Sequence, residues 1–256
     1  MAMSAAELFE TYDLTAKLAS QYPALAAEFA PVQKQFEDKR NQPDASIMVY
    51  GVYNAGKSTL INALVGECVA ATGDVPLTAS VDSYCWNNST ILDTPGVDAP
   101  LDHEEVTREQ MLKADAVIFV VNPSGAAEEE KTLKVLVEIL QARKKLFLVL
   151  NDKDRMDVET LTRLKNDIRI RLQSLAEAQG LQDVLQDIPI LRVNAEMALQ
   201  AKLNNVPGLL RASEFPIFEE ALTTFIASID SQHIYRRLGA TLNGFLDKLL
   251  HTLEQQ

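Results

Sequence analysis

Gly51-Val-Tyr-Asn-Ala-Gly-Lys-Ser58 decides the fold. It fits the pattern G-x-x-x-x-G-K-[ST] in full, and its flanks are the right ones. The β-type run Ile47-Met-Val-Tyr50 leads into it, and the helix-type run Leu60-Ile-Asn-Ala-Leu-Val65 follows. Such a loop wraps phosphate. Glycines let backbone N–H groups curl round an anion without a Cβ in the way. The N-terminus of the next helix adds positive potential at the same point. Gly51, Asn54, Ala55, Gly56, Lys57, Ser58 and Thr59 are the expected lining. Lys57 is expected to bridge the β- and γ-phosphates of a nucleotide, and Ser58 to hold Mg²⁺.

Downstream, Asp93-Thr-Pro-Gly96 closes the apolar run Ser89-Thr-Ile-Leu92. A strand that ends in Asp can set its carboxylate beside the Mg²⁺ shell. Gly96 can then offer its N–H to the γ-phosphate, where a side chain would block the approach. Asp74-Val-Pro-Leu-Thr78-Ala-Ser80 lies between these two motifs. Thr78, ahead of Thr72 and Ser80, is the expected Mg²⁺ ligand and γ-phosphate sensor of that loop.

Asn151-Asp-Lys-Asp154 follows the strand-like Leu146–Leu150. The guanine-reading pattern is [NT]-K-x-D, in which the Asp carboxylate accepts from guanine N1–H and the 2-amino group; adenine offers no such pair of donors. Asn151 and Asp154 are in register. The lysine position holds Asp152, and Lys153 falls one place late. A lysine in that motif lies along the base and props the phosphate loop, so its replacement points to weaker affinity with base choice intact. Asn194-Ala195-Glu196 follows the run Ile188–Val193, and the Ala195 N–H is the candidate donor to guanine O6.

Around these motifs, strands are predicted at Ile47–Tyr50, Val81–Trp86, Thr90–Asp93, Ala116–Val121, Leu146–Leu150 and Ile188–Val193. Helices are predicted at Lys57–Val65, His103–Lys113, Ala127–Ala142, Val158–Gln179, Glu196–Asn204 and near Pro216–Ile229. Alternation of this kind means an α/β domain with a mostly parallel six-stranded sheet covered on both faces. Asn87-Asn88 reads as a hairpin turn that supplies one antiparallel strand.

The expected domains are an N-terminal helical segment over 1–44, a nucleotide-binding domain over 45–230 and a C-terminal helix over 231–256. In the first, Leu14, Leu18, Tyr22, Leu25, Phe29, Val32 and Phe36 recur at steps of three and four. Pro23 and Pro31 are expected to break or kink it. In the last, Ile234, Leu238, Leu242, Phe245, Leu249 and Leu253 form a stripe. Leu238, Leu242, Phe245 and Leu249 are expected to bury against the N-terminal helix. The end, Leu253-Glu-Gln-Gln256, fits a helix cut from a longer protein and equally a frayed natural end.

The 256 residues carry a net charge of −12 with a pI near 4.8. An acidic surface disfavours nucleic acid and anionic lipid. No run approaches a membrane span, and the acidic start at Glu7, Glu10 and Asp13 is no secretory signal. Cys68 and Cys85 read as reduced apolar thiols. His103, His233 and His251 lack metal-ligand spacing.

Taken in order, Gly51–Ser58, Thr78, Asp93–Gly96, Asn151–Asp154 and Asn194–Glu196 resemble the translation-factor-related P-loop GTPases. The wording Gly51–Glu67 followed by Gly73-Asp-Val-Pro-Leu-Thr78 looks most like bacterial dynamin-like proteins; Era-like GTPases share much of it. The resemblance covers roughly residues 45–230. It implies GTP as substrate with Mg²⁺, a G-domain homodimer that depends on nucleotide, and flanking helices paired into a neck. It also implies a cytoplasmic location, at most peripheral to a membrane, with any membrane contact made through segments outside this chain. Val97 stands where Ras-type GTPases carry a water-orienting glutamine. In families with an apolar residue there, the residue at Asn54 helps bind K⁺ or Na⁺, so Asn54 is either an ion ligand or a shaper of its own loop. On this reading Lys57, Asn54, Thr78 and Gly96 carry catalysis, and Ser58, Thr78 and Asp93 hold the metal. The competing readings are a GTP-dependent binding switch with negligible hydrolysis and an Era-like ribosome or RNA factor. The acidic charge and the lack of a GxxG clamp speak against the last.

Overall fold

The computed structural model describes residues 4–41, 45–51, 54–70, 82–87, 89–93, 114–124, 130–142, 144–181, 188–229 and 231–254. Thr78, Gly96, Val97 and the helix expected at His103–Lys113 lie outside the described residues. The chain divides into two compact units, Ala45–Ser228 and the two chain ends, Met1–Asp44 with Ile229–Gln256.

The larger unit is built on β1 (Ser46–Gly51), β2 (Asp82–Trp86), β3 (Ser89–Asp93), β4 (Ala116–Val121), β5 (Lys145–Asn151) and β6 (Ile190–Val193). They form one sheet in the order β2-β3-β1-β4-β5-β6. All neighbours run parallel except β2 and β3, which pair antiparallel from Asp82 opposite Asp93 to Trp86 opposite Ser89. Asn87 makes the turn between them with φ +46°, a conformation asparagine tolerates better than most residues. The central β4 reads Ala-Val-Ile-Phe-Val-Val and is buried at every position, as expected of a parallel strand covered on both faces.

Alternation along the strands splits the core. Met48, Val117, Phe119, Leu146 and Leu148 face one layer, made by Leu133, Leu136 and Leu140 of α4 (Glu130–Gln141) and Leu161, Leu164, Ile168 and Leu172 of α5 (Val158–Glu177). Ile47, Val49, Ile118, Val120, Phe147 and Val149 face the other. There they meet Leu60, Ile61 and Leu64 of α3 (Lys57–Val65), Ala198 and Leu199 of α6 (Ala195–Leu203), and Phe215, Phe218 and Leu222 of α8 (Phe215–Ala227). The short α7 (Pro207–Ala212) was not expected. Six residues with no buried member carry no stripe to read, and only Pro207 at its first turn hints at it.

The smaller unit packs α1 (Ala5–Ala19), α2 (Pro23–Asn41) and α9 (Ser231–Glu254). Ser4 caps α1 in a reciprocal capping box with Glu7. Tyr12 stacks on Phe36 with centroids 4.4 Å apart, and Phe29 meets Phe245 at 4.9 Å. Leu238, Leu242, Phe245 and Leu249 are buried, as their spacing predicts. The expected division into two segments is found: α1 ends at Ala19 and Pro23 opens α2, with Pro31 inside it. Pro31 faces solvent, where water can take the carbonyl its ring leaves unbonded. No helix among the described residues is long and apolar enough to cross a membrane.

Candidate functional site

The site lies at the carboxyl ends of β1, β3 and β5, beside β1, where the strand order reverses direction. Open α/β sheets bind ligands at that point. Gly51 ends β1 with φ +150°, and a Cβ there would sit 2.0 Å from the Val120 carbonyl oxygen. Gly56 has φ +89°, and its Cβ would fall 2.3 Å from Asn151 Nδ2. Sterics therefore demand glycine at both ends of the loop. Asn54, exposed, has φ +57°.

Lys57 and Ser58 open α3, whose first amides point toward the loop. Lys57 Nζ lies 3.4 Å from the Gly51 carbonyl oxygen. Burial holds its ammonium down to about 8, against a smaller opposing pull from the Asp93 carboxylate. A cation this desolvated is held ready for an anion. The Ser58 hydroxyl donates to Asp93 Oδ2 at 3.1 Å, so the predicted metal-holding oxygens of the phosphate loop and β3 converge. Both are hard oxygen donors. Among the described residues no group of three or more His, Cys, Asp or Glu side chains could cage a metal. A sparse oxygen pair suits Mg²⁺, which keeps waters and takes substrate phosphates as ligands.

Asn151 and Asn194 reach backbone. Asn151 is fully buried; its Nδ2 donates to the Ala55 carbonyl at 2.7 Å and its Oδ1 accepts from the Ala195 N–H at 3.0 Å. It joins the phosphate loop to the loop after β6. The Ala195 N–H is thus already engaged, and a guanine O6 would share that proton or take the next amide of α6. Asn194 caps α6 by accepting from the Met197 N–H at 2.8 Å and donates to the Asp152 carbonyl at 3.1 Å.

Asp152 turns inward. Its Oδ2 accepts from the Met156 N–H at 2.8 Å and lies 3.8 Å from Arg192, which also pairs with Glu214. Asp154 is exposed, and its Oδ2 accepts from the Ser124 hydroxyl at 2.9 Å.

Some supporting residues escaped the motif reading. Ser124 orients Asp154 from the loop after β4. Buried Asn62 of α3 accepts at Oδ1 from the Val69 and Ala70 N–H groups, at 2.9 and 2.6 Å, and donates to the Ala70 carbonyl at 2.9 Å. It pins the exit of α3 just ahead of the segment that holds Thr78. The available signal was an asparagine inside an otherwise apolar helix run. Cys68 and Cys85 are free and exposed, which corrects their reading as apolar thiols.

A family model described as 50S ribosome-binding GTPase matches residues 46–152. GTPase Der of Sulfurihydrogenibium is 31% identical over 165 residues, covering 56% of this chain and 37% of Der. GTPase Era of Erythrobacter litoralis is 36% identical over 139 residues, covering 48% of this chain and 44% of Era. The chain thus spans less than half the length of these relatives. Among solved structures, an oligomerised bacterial dynamin pair superposes with a TM-score of 0.61 at 21% identity, covering 99% of this chain and 57% of that one. Residues 46–152 thus carry the match to a GTPase family model, and the chain has the P-loop GTPase fold seen in a bacterial dynamin pair.

Proposed function

We propose that this chain binds GTP with Mg²⁺ and hydrolyses the γ-phosphate, and that G-domain self-association stimulates the turnover. One observation carries the reading. A buried ammonium, the Ser58–Asp93 oxygen pair and the Asp154 carboxylate gather at one end of the sheet, held in register by Asn151. Phosphate, divalent ion and guanine each have a matching partner there.

Lys57 neutralises the β- and γ-phosphates, and the amides at the start of α3 hold their oxygens. Ser58 and Asp93 would hold Mg²⁺, with Thr78 as a further ligand. The ion, when bound, supplies positive charge to the phosphates. Asp154 accepts from the guanine edge, with Ser124 steering one oxygen. Val97 cannot orient the attacking water, which implies slow basal turnover. Phosphoryl transfer is catalysed mainly by positioning and electrostatics, so added positive charge at the site is what accelerates it. Asn54 is suited to help hold K⁺ or Na⁺ for this purpose, and a second G domain across the nucleotide face would complete that ion's shell. Dimerisation of this kind fits a fold shared with an oligomerised dynamin pair.

Phosphate release from GTP and ATP, measured against protein concentration in K⁺ and Na⁺ buffers, tests the reading. Turnover of GTP alone, rising per molecule with concentration, is expected. GTP binding without turnover at any concentration would leave a binding switch instead.

A further inference from the structure

The motif Asn151-Asp-Lys-Asp154 lacks the lysine that would cover the base, yet a lysine lies in the place that residue would serve. A Cβ built on Gly56 would stand 3.7 Å from Lys153 Cε. The Lys153 stem therefore lies against the phosphate loop, one residue before the lysine that opens α3. On its other side in sequence is Asp154, exposed and steered by Ser124. A purine read by Asp154, with its phosphates on the Gly51–Ser58 loop, has to pass along this stem.

Local backbone bonding explains why residue 153, and not 152, takes the position. The Asp152 N–H donates to the Val193 carbonyl at 2.8 Å and to the Leu150 carbonyl at 3.1 Å, which binds the residue to the end of β6. Its side chain is almost wholly buried, at 2% exposure. It faces the Met156 N–H and Arg192, away from the phosphate loop. Asn194 Nδ2 then holds the Asp152 carbonyl at 3.1 Å, and Lys153 and Asp154 leave the surface together. A lysine at 152 would bury its ammonium against the Arg192 guanidinium.

We infer that Lys153 is the residue that covers the guanine and braces the phosphate loop, and that Asp152 is the buried anchor that turns the loop to present it. The inference rests on the proposed GTP-binding reading and deepens it. The stem supplies apolar cover to one face of the base. The ammonium adds a cation to the ring face, an attraction that grows as water leaves. Lys153 is a binding and positioning residue. It touches neither the γ-phosphate nor the attacking water, so its loss should raise KM and leave kcat little changed.

The test is calorimetry of Mg·GDP with the wild-type chain, Lys153→Ala, Lys153→Met and Asp152→Lys/Lys153→Ala, with thermal melts of each. Lys153→Ala should weaken Mg·GDP about tenfold with an unchanged melt. Lys153→Met, which keeps the stem and loses the charge, should fall between the two. The double variant, with its lysine moved into the register of the usual motif, should not recover affinity. Wild-type affinity in Lys153→Ala overturns the inference, and full recovery in the double variant overturns the role of Asp152. Should the double variant melt early, Lys153→Ala and Lys153→Met decide alone, since position 153 is exposed. A wild-type chain that binds no guanine nucleotide sinks the parent reading instead, so the two failures are told apart.

Discussion

The side-chain amide of Asn151 donates to the carbonyl of Ala55 across 96 residues of chain, at 2.7 Å, while its carbonyl takes the N–H of Ala195. One buried side chain thus fixes the distance between the Gly51–Ser58 loop, the Asn151–Asp154 loop and the N-terminus of α6. On the proposed reading, the separation of phosphate and base recognition is set by this link within the protein.

Replacing Asn151 by Ala strands the Ala55 carbonyl and the Ala195 N–H in the interior. Each buried group left unpaired costs about 1–3 kcal/mol, so a loss of roughly 3 kcal/mol in urea unfolding is expected, together with much weaker GTP binding. An unchanged midpoint would mean that water or backbone shifts replace both bonds.

At Gly56, an added methyl group would have to displace Asn151 Nδ2, and at Gly51 it would meet the Val120 backbone. A side chain can move and a strand carbonyl cannot, so Gly51→Ala should lower the melting temperature more than Gly56→Ala. Gly56→Ala should instead lose nucleotide, because it breaks the Asn151 link. Thermal melts paired with fluorescent-GDP titrations separate the two effects.

Much of this was legible in the chain itself. Gly51–Ser58 stood between a strand pattern and a helix pattern, so local and global signals agreed, and the strands fell within a residue or two of their predicted places. What was not legible shares a cause. Motifs give residue identity but not direction: the Asn151 and Asn194 amides, expected to line a nucleotide, also bond backbone within the protein. The approach of the Lys153 stem to Gly56 could not be read from motif register, because the inward turn of Asp152 depends on Arg192 and Val193, far along the chain. Pro31 lies inside α2, where its helix-breaking propensity is overridden on a solvent face.

Asp154→Asn replaces an acceptor with an amide whose donors face the donors of guanine. At least about a hundredfold loss of GTP affinity is expected, from two charge-assisted bonds. Xanthine, with a carbonyl where guanine has its amino group, should gain relative to GTP. Competition titrations with GTP, XTP and ATP measure both changes.

Lys57 gives a pH signature. Its pKa is lowered from 10.5 to about 8 by burial, so the folded chain releases this proton before the unfolded chain does. Stability from this group therefore rises with pH between about 8 and 10.5 and is flat below. Nucleotide binding has the opposite dependence, because a bound polyphosphate favours the charged lysine and draws a proton back. Affinity should level off below pH 8 and fall above it. Calorimetry in buffers of different ionisation enthalpy should show proton uptake at pH 9 and little at pH 7.

The most direct test of the account is titration of the chain with the magnesium salt of a non-hydrolysable GTP analogue, followed by calorimetry. Saturable binding with one site per chain, lost in Lys57→Ala and absent with the ATP counterpart, is the predicted result. No heat of complexation at millimolar ligand, or equal binding of both nucleotides, would contradict it.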